Sequence, residues 1–73
     1  MNRLKLRLQQ GSRLSCREVR ALLRHLGFVL ARQKGSHEQW VREGRLFTLA
    51  CQGKDAPFYV LAALRELVEE SDE

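Results

Sequence analysis

Residues 28–50 read FVLARQKGSHEQWVREGRLFTLA, and the turn signals within them decide the fold. Phe28 to Arg32 is a short run of bulky apolar residues, enough for a strand and too short for a helix. Lys34, Gly35 and Ser36 turn the chain, and His37 to Arg42, carrying Trp40 and Val41, returns antiparallel. Glu43 and Gly44 make a second tight turn before Arg45 to Ala50. Three strands in a meander follow from that spacing. The first turn joins a cation, a glycine, a hydroxyl and an imidazole, and histidine, with an ordinary pKa of about 6.5, exchanges protons near neutrality. If the chain carries chemistry, this turn is its place.

Helices flank the meander. Ser15, Cys16, Arg17 and Glu18 spell a capping box, in which the serine hydroxyl and the glutamate carboxylate satisfy amides at a helix start. Val19, Leu22, Leu23 and Leu26 follow at helical spacing and Gly27 supplies a left-handed stop, so a helix is predicted over about 16–26. After the polar link 52–55, Asp55 or Ala56 caps a second helix with Pro57 in its first turn. Val60, Leu61, Leu64, Leu67 and Val68 form its apolar stripe, and an acidic tail from Glu69 to Glu73 is expected to fray. Ahead of all this, Leu4, Leu6 and Leu8 alternate with Arg3, Lys5 and Arg7 at period two. That alternation favours an N-terminal edge strand, with a flexible basic arm as the alternative.

The fold class expected is α+β: an αβββα order like that of double-stranded RNA-binding domains. A three-stranded antiparallel sheet carries two helices on one face, the other face is open, and an extra N-terminal strand is allowed for. The organisation is an arm or strand over 1–13, one domain over 14–68 and a tail over 69–73. A chain of 73 residues has room for one small core.

Composition narrows the partners. Residues 1–54 hold twelve of the thirteen Lys and Arg against three acidic residues, a surplus of nine positive charges. Residues 55–73 hold Arg65 against six acidic residues, a deficit of five. A basic body attracts polyanions, so RNA, DNA or an acidic protein is the implied ligand, although basic surfaces also serve solubility alone. No run of roughly 18 apolar residues and no apolar leader segment occurs, which points to a cytoplasmic protein without membrane contact. Cys16 and Cys51 read as two free thiols. A zinc site from Cys16, His25, His37 and Cys51 lacks the close ligand pairs such sites use, so neither a metal nor another cofactor is expected. His25 lies off the apolar stripe and reads as a surface residue, and Trp40 reads as core rather than as a stacking platform for a base. Arg17, Arg20 and Arg24 could follow phosphates or simply form a solvated helix face.

Several of these features together resemble the HicA family of small bacterial toxins. The shared elements are the serine-capped helix from Ser15, Gly27-Phe28 at its end, Lys34 to His37 between two strands, Trp40, Thr48 in the third strand, and Gly53-Lys54. The resemblance covers about residues 14–67. It departs at Ala50-Cys51, where many members carry Pro-His, in a shorter loop before the last helix, and in the extra N-terminal thirteen residues. What it implies is a metal-independent endoribonuclease that cleaves mRNA and is masked by a HicB-type antitoxin. His37 would be catalytic, Gly35 and Ser36 would shape its turn, and Arg32, Lys34 and Lys54 would hold RNA phosphates. A non-catalytic RNA-binding module, or a domain acting chiefly through a protein partner, are the alternatives from other classes.

Overall fold

The structure is a computed structural model and describes residues 2–71. Its elements are α1 (Asn2–Gln9), α2 (Cys16–His25), β1 (Val29–Lys34), β2 (His37–Arg42), β3 (Arg45–Ala50) and α3 (Phe58–Ser71). The strands form one antiparallel sheet in the order β1-β2-β3. The αβββα core expected from the sequence is therefore present.

The expected N-terminal strand is instead the helix α1. Residues 3–8 contain no β-branched or aromatic side chain and consist of Leu, Arg and Lys, which favour helix. Leu4 and Leu8 are one turn apart, so the same helix face carries both into the core, while Leu6 is 53% exposed. The helix is tied down by polar contacts as well. Arg7 pairs with Glu18 of α2, and Arg65 of α3 donates from Nε at 3.2 Å to the Leu8 carbonyl, which also accepts from the Gly11 amide at 3.1 Å.

α2 begins as its capping box dictates. Ser15 Oγ accepts from the Glu18 amide at 3.1 Å, and Glu18 Oε1 accepts from the Ser15 amide at 2.9 Å. Val19, Leu22 and Leu23 are fully buried and Leu26 partly so. At the other end, Gly27 sits at φ +93° and the Arg42 guanidinium donates to the Leu26 carbonyl at 2.7 Å. α3 starts later than Asp55 or Ala56: the carbonyl of Pro57 is the first to accept, from Val60 and Leu61. Its stripe is buried as expected, at all five positions. Of the acidic tail expected over 69–73, Asp72 and Glu73 lie outside the described residues, which leaves Glu69 and Glu70. They lie within α3, and Glu70 pairs with Arg45 of β3.

Trp40, Phe47 and Leu49 point from the sheet into the core formed with Val19, Leu22 and Leu23 and the α3 stripe. The alternate residues His37, Gln39, Leu46 and Thr48 are exposed on the opposite, open face. Among the described residues no helix is long and apolar enough to cross a membrane.

Candidate nucleic-acid interface and catalytic site

The β1–β2 connection is a two-residue hairpin, with Lys34 opposite His37 as the last pair before the turn. Gly35 is at φ +60°, and a side chain there would meet nothing within 4 Å. Backbone conformation rather than space thus requires the glycine. The turn is anchored from two sides. Gln33 Nε2 donates to the Gly35 carbonyl at 3.2 Å, and the Cys51 amide donates to the Ser36 carbonyl at 2.9 Å.

The strand register arranges the open face in rows. Lys34, His37 and Ala50 form the row next to the turn, Arg32, Gln39 and Thr48 the next, and Val29, Val41 and Leu46 the last. The first two rows and the turn enclose a depression of about 550 Å³. Arg32, Lys34, Gly35, Ser36 and His37, singled out from the sequence, all line it. Gln39 and Thr48 complete it, and neither was anticipated as a site residue. The His37 side chain is exposed and makes no hydrogen bond or ion pair among the described residues.

Lys54 is not in this depression. It lines a second one of about 770 Å³, bounded by the start of α2, the segment 51–54 and the same Gly35–Ser36 turn. The two depressions therefore meet at the hairpin.

Which cations are available to a ligand depends on which are already engaged. Arg20 binds Glu38, Arg24 lies 5.2 Å from the Trp40 ring centroid, and Arg42 lies 5.1 Å from that of Phe28. Arg13 covers Phe58, and Arg7, Arg45 and Arg65 have the partners given above. Among the described residues, Arg3, Arg17, Arg32, Lys34 and Lys54 have no such partner. All but Arg3 line the two depressions.

Glu38 is the functional neighbour that sequence reasoning missed. It is 3% exposed on the inner face, accepts from Arg20 Nε at 3.0 Å on both oxygens and at 2.5 Å from its terminal nitrogen, and accepts from Trp40 Nε1 at 3.1 Å. The Arg20 hydrogen bonds hold its carboxyl below the ordinary value of 4.5, against the opposing effect of burial, with further help from Trp40. Because successive strand residues point to opposite faces, anchoring Glu38 inward holds His37 outward. The detectable signal was its spacing of two from Trp40, which places both on one face of the strand.

Trp40 is core, at 1% exposure, and His25 is on the surface, both as expected. The cysteines differ from the reading as free thiols: Cys16 and Cys51 form a disulfide between the start of α2 and the end of β3, with Cα atoms 6.3 Å apart. A separation of 35 residues concealed a proximity that arises only once the segment after β3 returns to the start of α2, where the Cys16 amide also donates to the Lys54 carbonyl. The described residues contain no group of three or more His, Cys, Asp or Glu side chains placed to hold a metal ion, and the sulfurs of Cys16 and Cys51 are bonded to each other.

No curated protein and no solved structure matches the chain. The family model of the HicA toxin of bacterial toxin–antitoxin systems matches residues 16–67, from the first residue of α2 into α3, and so takes in all three strands and every residue lining the two depressions except Ser15. The chain belongs to the HicA toxin family, the toxin half of a system whose partner is an antitoxin.

Proposed function

We propose that this toxin is a metal-independent endoribonuclease that cleaves mRNA in the cytoplasm, with His37 as general acid and base, and that its antitoxin is of the HicB type. The observation that carries this reading is a solvent-facing, unpartnered imidazole beside Arg32 and Lys34 on an open sheet face. RNA brings its own nucleophile. The 2′-oxygen attacks the adjacent phosphorus, the 2′-proton passes to a base, and the bond to the 5′-oxygen breaks as that oxygen gains a proton. The products are a 2′,3′-cyclic phosphate and a 5′-hydroxyl, with no oxidation or reduction.

His37 accepts the first proton and can return it to the leaving oxygen, a role that typically contributes about 10² to 10⁴-fold. Arg32 and Lys34 stabilise the charge that builds on the phosphorane oxygens. Lys34, directly opposite His37, is the cation nearest along the sheet to the proton-transfer group. The depression contains one imidazole and no carboxylate, so a slow enzyme is expected.

Replacement of His37 by Ala tests the reading. Cleavage of a single-stranded RNA and growth arrest on expression should both fall at least 100-fold, with unchanged circular dichroism. A variant as active as the parent removes His37 from the mechanism. The single imidazole also favours a second reading, a non-catalytic RNA-binding toxin, which predicts salt-sensitive RNA binding by the parent chain without cyclic-phosphate products.

A further inference from the structure

We infer that the second depression is a phosphate subsite for the same RNA strand, in which Arg17 and Lys54 grip a backbone phosphate flanking the scissile one. The inference rests on the ribonuclease reading and adds to it where the strand runs. Arg17 and Lys54 are exposed, come from different elements and lack any partner among the described residues, yet they line one concavity of about 770 Å³. Arg20, the third cation there, is already neutralised by Glu38.

The helix end itself offers little to an anion. The Cys16 amide donates to the Lys54 carbonyl at 2.9 Å and the Glu18 amide to Ser15 Oγ, so the side-chain charges must bind the ligand. The backbone bond from Cys16 to Lys54, and the Cys16–Cys51 disulfide beside it, fix the loop carrying Lys54 against the helix carrying Arg17. Two cations held in this way form a preorganised clamp. The Gly35–Ser36 turn belongs to both depressions, so a strand whose scissile phosphate lies at His37 passes over this turn to reach the clamp. Regularly spaced phosphates on a flexible single strand suit two basic concavities that share the Gly35–Ser36 turn.

The test uses the full chain carrying His37→Ala, so that binding is measured without cleavage. Fluorescence anisotropy follows a labelled single-stranded octaribonucleotide and a diribonucleotide, whose one phosphate the His37 site takes, over a range of salt. Each phosphate contact on a single strand contributes about 0.7 to the salt slope, or about a fivefold affinity at 0.1 M salt. Arg17→Gln and Lys54→Gln together should lower octanucleotide affinity about 5-fold or more and reduce the slope by about 0.7, with a smaller effect on the diribonucleotide. Arg3→Gln, removing an unpartnered cation outside both depressions, should leave the slope unchanged. An unchanged slope in the double variant overturns the subsite and leaves the His37 reading standing. A slope equally reduced by Arg3→Gln overturns it in favour of diffuse attraction. Loss of antitoxin binding with RNA binding intact assigns the clamp to the protein partner. Absence of any RNA binding by the His37→Ala chain overturns the ribonuclease reading as well.

Discussion

Removing either member of the Arg20–Glu38 pair should destabilise the protein, and the two losses should be unequal. Glu38 is 3% exposed whereas the Arg20 side chain is 33% exposed, so the carboxylate depends on the pair far more than the guanidinium does. Arg20→Met strands a buried charge with the Trp40 N–H and the weaker attraction of Arg24 as its remaining support, which costs about 3–5 kcal/mol. Glu38→Gln keeps an acceptor for Trp40 and leaves a guanidinium that can turn to water, at about 1.5–3 kcal/mol for the charged hydrogen bonds lost. At about 0.05–0.15 kcal/mol per residue, the whole domain holds roughly 4–11 kcal/mol, so either loss is large. Urea unfolding followed by circular dichroism and by Trp40, the only tryptophan, measures both. With a slope of about 1 kcal/mol per molar, the midpoint should fall by about 1.5–3 M for Glu38→Gln and by about 3 M or more for Arg20→Met. The pH dependence supplies a second readout. Glu38 has a folded pKa below its unfolded one, so its stabilisation is complete above about pH 4.5 and is lost as pH falls through the lowered value. Glu38→Gln should therefore flatten the acid limb of the stability curve. A Glu38→Gln loss equal to or greater than that of Arg20→Met, or an unaltered acid limb, would refute this account of the pair.

Further measurements probe other parts of the fold. Leu8→Ala should cost about 2–5 kcal/mol in the same urea assay while Leu6→Ala stays within about 0.5, because only Leu8 is fully buried; similar losses would argue for a strand that places both on one face. Reducing the Cys16–Cys51 disulfide opens a loop of 35 residues and should remove about 3–4 kcal/mol on the chain-entropy model, read as a reductant-dependent drop in urea midpoint. Titration of thiols in the unreduced, unfolded chain should find none. Glu43 sits at φ +47° beside Gly44 at φ +85°, a pairing that suits Asn in the first position, so Glu43→Asn should stabilise by about 0.5–1 kcal/mol in thermal unfolding.

The elements legible in the sequence were those whose signal is local and repeated. Five apolar positions of α3 and three of α2 fall on one face only at helical spacing, and the turns at Gly35 and Gly44 leave the strands between them little freedom of register. The first helix was misread because three leucines are too few to separate two periods: residues 4 and 8 satisfy both a strand alternation and a helical turn. Glu38 and the cysteine pair were hidden for a different reason. A carboxylate in an inward position contradicts binary patterning, and its partner Arg20 lies 18 residues away, just as Cys51 lies 35 from Cys16. Such pairings exist only once the helices have settled on the sheet.

The same reasoning separates the charge of the chain from the charge of the site. The Lys34–His37 turn could be read directly, but a surplus of nine positive charges over residues 1–54 does not say where a polyanion will bind. Folding engages Arg20 with Glu38, sets Arg24 against Trp40 and Arg42 against Phe28, and ties Arg7, Arg45 and Arg65 to other elements. These contacts stabilise the core side of the molecule and at the same time reduce the number of cations a phosphate can recruit. Arg17, Arg32, Lys34 and Lys54 remain on the two sides of one hairpin. On the proposed reading, the Arg20–Glu38 pair thus matters without touching a ligand: it removes Arg20 from the cations that a phosphate can recruit beside Arg17 and Lys54, and it keeps His37 turned toward the open face.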